Sequence, residues 1–207
     1  RDANLRGLVI AFLITSIAFS GVTVMFIPFV ADVYGYNAAE AALLMTYVGT
    51  IGALNQGVLV GQLAKQFTPA RLAIGGGAGL LIALVSIPFT PAIGGRLPTL
   101  GGPEWFTSEL LALLVVLGLL SIGFGLLNIS LSTLVSIGSS AETQGTAFGV
   151  TQGAGSLGRT IGPPVMAALY VVGIPLPFIV GAVLVVPVLS VLVGLARNEG
   201  HPVSTGQ

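Results

Sequence analysis

Residues 110–141 read LLALLVVLGLLSIGFGLLNISLSTLVSIGSSA, without one charged side chain. At about 1.5 Å per helical residue the run is longer than the roughly 30 Å hydrocarbon core of a bilayer, so it predicts a membrane-crossing helix. Three more charge-free runs stand upstream, at 7–31, 41–64 and 72–95. Downstream, 143–196 carries a single charge, Arg159. That stretch is too long for one helix, and Gly173-Ile-Pro-Leu-Pro177 supplies the break. The expected fold is an all-α integral membrane domain covering 1–207. Its six transmembrane helices fall at about 7–31, 41–64, 72–92, 110–136, 144–171 and 176–196.

The rest of the composition fits lipid as the solvent. Only 7% of the 207 residues are charged, against about 25% in a soluble domain, too few to cover a water-facing surface. Formal net charge is zero, which leaves no basic footprint for nucleic acid. The absence of cysteine rules out thiolate metal sites, and the lone histidine, His201, lies in a polar tail. No metal and no cofactor is expected. The chain opens on Arg1 with an apolar run too long for a signal-peptide core, so that run reads as a membrane span and the chain as a piece of a longer protein.

Basic residues orient the domain. With six spans, Arg1, Arg6, Lys65, Arg71 and Arg197 share one side against Arg96 on the other. Both ends are therefore expected in the cytoplasm of a multi-pass plasma-membrane protein. Phe29, Tyr34, Tyr36, Phe89, Trp105, Phe106, Tyr170 and Phe178 are expected as aromatic anchors near the outer surface.

Polar residues concentrate in four of the six helices. At about 100° per residue they form stripes: Ser16, Ser20 and Thr23 in the first; Asn55 and Gln62 in the second, with Tyr47 and Thr50 rotated from them; Ser121, Gly125, Asn128, Ser132 and Ser136 in the fourth; Gln152, Ser156 and Arg159, with Gly145, Gly149 and Gly153, in the fifth. Any single Ser or Thr reads most simply as helix–helix glue, and the glycines as close packing. Four stripes together point to a polar path between helices. The third and sixth helices, nearly free of polar residues, are expected at the periphery facing lipid. Arg159, the one charge inside a span, is the foremost candidate for function, because a charge at mid-membrane costs at least about 2.5–3.5 kcal/mol. Every acid falls at an interface or in a loop.

The apolar third and sixth helices imply a repeat of three. Gly49-Thr-Ile-Gly52 and Gly155-Ser-Leu-Gly158 echo one another at that offset, and an odd repeat inverts in the membrane. Two further strings carry a family resemblance. Gly61-Gln-Leu-Ala-Lys65-Gln-Phe-Thr-Pro-Ala-Arg71 resembles the second copy of the cytoplasmic loop motif Gly-x-Leu-Ala-Asp-Arg-x-Gly-Arg-Arg of the major facilitator superfamily, with Lys65 in place of the Asp. Gly153-Ala-Gly-Ser-Leu-Gly-Arg159-Thr-Ile-Gly-Pro163 resembles the Ser-x-Gly-Arg-x-x-Gly-Pro of the eleventh helix in drug-efflux-like members. The resemblance implies that the chain is the C-terminal half of a twelve-helix secondary transporter, made of two inverted three-helix repeats. Its partners would be the N-terminal six-helix half, the lipid bilayer and a small-molecule substrate moved by alternating access.

On this reading the substrate is a drug-like or amphipathic compound and the direction is efflux. A sugar or metabolite permease is the nearest alternative, and a non-transporting scaffold the next. An enzyme is not expected, because no His, Cys, Asp or Glu lies within a span.

Overall fold

The computed structural model describes residues 2–98 and 106–199; Arg1, Glu104, Trp105 and His201 lie outside them. Among the described residues all regular structure is helical: α1 Asp2–Tyr34, α2 Ala38–Leu63, α3 Pro69–Gly94, α4 Ser108–Gly138, α5 Gln144–Val172 and α6 Leu176–Glu199. The starts follow from capping chemistry. Asn37 accepts from the Ala39 and Glu40 amides while the Glu40 carboxylate accepts from the Asn37 amide, a reciprocal box that starts α2 three residues after α1 ends. Thr68 caps α3 ahead of Pro69, and Thr107 caps α4. Gly35, at φ 69°, makes the only left-handed turn among the described residues, and it reverses the chain between α1 and α2. α1 is longer than expected at both ends, so Asp32 belongs to its last turns rather than to a loop.

Five of the six helices are long and apolar enough to cross a membrane. α5 has the length, 29 residues, but not the hydropathy. Its packing puts it at the same depth as α1. Ser16 of α1 meets Gly155 and Gly158, Ser20 meets Gly162, and Gly21 meets Met166, so the two helices run parallel over several turns. α4 runs antiparallel to α1, with Phe19 on Phe124 and Leu5 against Gly138.

The packing shows the repeat. α1 packs against α5 and α6, α4 packs against α2 and α3, and α3 packs against α6. Exchanging α1, α2 and α3 for α4, α5 and α6 maps these pairs onto one another, and the antiparallel α1 and α4 make the relation an inverted one.

The core lies where α1, α3, α4 and α6 meet, around Phe26, Phe29, Leu80, Leu84, Leu117, Leu127, Phe178 and Val185, all buried. One expectation changes here. Phe29 and Phe178 are not interfacial anchors: both are fully buried and stack edge to face, 5.1 Å between centroids. α3 and α6 each have two faces. Each keeps one exposed apolar face (Ile82, Val85 and Phe89; Val183 and Val186) but buries the other in the core. The broadest exposed faces belong to α2 and α5.

Without a hydrophobic drive between helices in lipid, close backbone approach does much of the holding. The α3–α4 contact shows it best. A methyl group on Gly76 would stand 2.8 Å from the Gly123 carbonyl oxygen, and one on Gly123 would stand 2.6 Å from the Leu80 nitrogen. The two backbones touch there because neither position has a side chain.

Candidate functional site

The second and fourth polar stripes meet each other. Tyr47 Oη donates to the Leu114 carbonyl at 3.1 Å, Ser121 Oγ to the Val48 carbonyl at 2.8 Å, and Asn55 Nδ2 to the Ile122 carbonyl at 3.1 Å. These three ties hold α2 to α4, each worth about 0.6 kcal/mol by the average for such bonds in membranes. Gly52 and Gly118 leave room for the Ser121 and Tyr47 hydroxyls. Tyr47, Ser121 and Asn55, expected along a substrate path, are thus spent on helix packing.

At Asn55 the helix changes character. Residues Asn55–Leu59 form a π-turn, with one residue more per turn than the α-helix needs. Asn55 is buried, and its Oδ1 has no partner among the described residues. Within the turn Gln56 and Gly57 are exposed, and beyond it so are Gly61 and Gln62. Asn55 and Gln62 therefore do not share an environment, contrary to a helical wheel drawn straight through. Thr50 is exposed, and its hydroxyl returns to its own helix at the Thr46 carbonyl.

The stripe on α1 divides: Thr23 is exposed and bonds back to the Phe19 carbonyl, while the other two turn inward. Ser16 and Ser20 are buried against α5, and Ser20 Oγ donates to the Ile17 carbonyl at 2.9 Å. A methyl group on Gly158 would stand 2.7 Å from the Leu13 carbonyl oxygen, and one on Gly162 would overlap the Ser20 hydroxyl. The close-packing glycines of α5 are thus 155, 158 and 162. Around Gly145, Gly149 and Gly153 the space is open, so these do not serve helix contact within the domain.

What remains is the outward arc of α5. Gln152, Ser156 and Arg159 are exposed there, beside those three open glycines. Arg159 lies near the middle of its helix. Its Nη2 donates to Ser156 Oγ at 3.1 Å, the only hydrogen bond it makes among the described residues, and no carboxylate among them pairs with it. α4 adds two half-buried polar residues near its middle. Asn128 is half-buried, with no side-chain hydrogen bond among the described residues, while Ser132 bonds back to the Asn128 carbonyl. One turn away Phe124 stacks on Phe19, with 3.6 Å between centroids and 10° between planes; both are half-buried and near the middle of their helices. Sequence reading missed this aromatic pair, since nothing along either helix sets these phenylalanines apart.

The loop string is mostly exposed, although Ala70 is buried. Gly61, Lys65 and Arg71 all face out, and Arg71 takes part in the capping turn through its amide bond to Thr68 Oγ1 at 3.4 Å. At the other end of the bundle Tyr170 Oη donates to Asp32 at 2.7 Å and Tyr34 Oη to Thr90 Oγ1 at 2.7 Å, tying α1 to α5 and to α3.

α5 thus offers a guanidinium without an ion pair among the described residues, with an amide and a hydroxyl on the same arc, and α1 and α4 hold an aromatic pair near their middles. Among the described residues no group of His, Cys, Asp and Glu could hold a metal. The sequence model described as Major Facilitator Superfamily matches residues 1–163. No curated protein matches the chain.

Proposed function

The chain belongs to the Major Facilitator Superfamily, whose members are secondary transporters and not enzymes, and from that premise we propose that it is the C-terminal half of a twelve-helix exporter of amphipathic small molecules. The observation that carries the proposal is Arg159. A guanidinium at mid-helix, exposed and without a carboxylate among the described residues, is too costly to leave in hydrocarbon. It needs water, a substrate or a second protein surface. The broad exposed faces of α2 and α5 are where a second half would close over it, and the α2–α4 and α1–α5 contacts would let this half move as one body when access alternates. The Phe19–Phe124 pair, between α1 and α4 near the middle of both helices, adds an apolar platform, and a cation with an aromatic platform suits an amphipathic compound better than a sugar.

The test is retention of a fluorescent amphipathic dye by cells making the full-length protein. Expression should lower steady-state dye severalfold, and dissipating the ion gradients should abolish the difference. Unchanged retention across a panel of neutral, cationic and anionic dyes would count against export.

We also propose that the Lys65–Arg71 turn is cytoplasmic, with both ends of the segment on that side. The chain contains no cysteine, so Gln66→Cys adds a unique thiol in this half, at an exposed position. In intact cells it should stay unlabelled by an impermeant maleimide and react once the membrane is permeabilised. Labelling in intact cells would reverse the assignment.

A further inference from the structure

A groove of about 580 Å³ opens between the first turns of α1 and the first turns of α5, walled by Leu5, Val9, Ile10, Ala147 and Val150, with Arg6 as its one charged residue. We propose that it binds a glycerophospholipid with an anionic headgroup, one acyl chain lying in the groove and the phosphate on Arg6.

The groove is the end of a continuous lipid-like surface. Above it, Val24 and Ile27 of α1 and Leu157, Ile161 and Val165 of α5 are all exposed and apolar. This flank of α5 lies around the helix from the arc that carries Gln152, Ser156 and Arg159, so the groove is separate from the polar face assigned to transport. An aliphatic wall of that extent fits an acyl chain, not water.

Depth places the headgroup. α1 has 33 residues, about 50 Å at 1.5 Å per residue, against a hydrocarbon core of about 30 Å. Its first turns therefore stand in the headgroup zone, and Arg6 is in the second of them. Arg6 is exposed and makes no ion pair with any side chain from Asn4 to Arg197 that the structure describes, and its guanidinium has the planar fork to take a phosphate in a bidentate grip. The Thr146 hydroxyl on the facing helix also lines the groove and offers a second donor. A basic residue at the mouth of an interhelical pocket is the chemistry by which membrane proteins select anionic lipids.

The test uses the full-length protein in mild detergent, with native mass spectrometry after adding phosphatidylglycerol or phosphatidylcholine of equal chain length. The first bound lipid should be phosphatidylglycerol by about fivefold, the equivalent of about 1 kcal/mol for one basic residue. Arg6→Gln should bring the ratio close to one, while Arg6→Lys, a control for folding, should keep most of it. Val150→Trp should lower occupancy by both lipids, because the indole fills the chain's place. A preference that survives Arg6→Gln, or occupancy unchanged in Val150→Trp, would overturn the proposal. So would a cross-link from Ile10→Cys to another segment of the same protein, since protein would then cover the groove.

Discussion

Replacing Arg159 with alanine should reduce transport by the full-length protein to background while leaving the protein in the membrane at normal levels. The side chain contributes nothing visible to packing: it is exposed, and its one hydrogen bond among the described residues goes to the neighbouring Ser156 on its own helix. Its removal should therefore spare the fold. Charged hydrogen bonds are worth about 1.5–3 kcal/mol, so losing them at the substrate or at the facing half predicts a fall of roughly 10- to 100-fold in transport below saturation. Arg159→Lys keeps the charge but loses the planar fork, and should fall between the two. The measurement is initial transport rate set against surface expression. Normal rates in Arg159→Ala would take the residue out of the mechanism, and rates that fall only in step with protein level would make it structural.

The glycines should divide into two classes. Gly123→Leu or Gly76→Leu should all but eliminate folded protein, because each side chain would enter the backbone of the facing helix, where even a methyl group comes within 2.8 Å. Overpacking costs 1–3 kcal/mol where side chains can give way; backbone against backbone cannot, so the upper end of that range, about 100-fold in the folded fraction, is the minimum expected. Gly149→Ala, with nothing within 4 Å, should leave yield within about twofold. Detergent-extracted monodisperse yield, read by size exclusion, separates the classes. Equal yields across the set would mean that α3 and α4 do not approach as closely as they do here.

The helices were legible because lipid as a solvent imposes a simple rule: long runs without charge. The expected spans 72–92 and 110–136 fall within α3 and α4. Direction within the bundle was less legible. On a soluble helix polar residues point to water, but in a membrane they point to whatever polar group is near. Ser20, Asn55 and Ser121 turned inward to helix neighbours, while Gln152, Ser156 and Arg159 turned out. α5 shows the difficulty most sharply. Glycines at 145, 149 and 153 and at 155, 158 and 162 form two arcs of the same helix, each spaced for close contact. Only the identity of the partner tells them apart, and α1 takes the second arc. The π-turn at Asn55 defeated a wheel drawn at constant period, because one added residue rotates everything beyond it.

The long parallel contact between α1 and α5 also sets an order on biosynthesis. α3 and α4 are neighbours in sequence and can join as soon as both have left the ribosome. α1 cannot meet its partner until more than a hundred further residues have been translated, on the order of ten seconds at about 5–20 residues per second. Throughout that wait its buried serines, Ser16 and Ser20, must be held against lipid or the insertion machinery. The helix that finally arrives is the one too polar to qualify as a span by its own hydropathy. Within this segment the first helix thus serves as the receiving surface for the fifth.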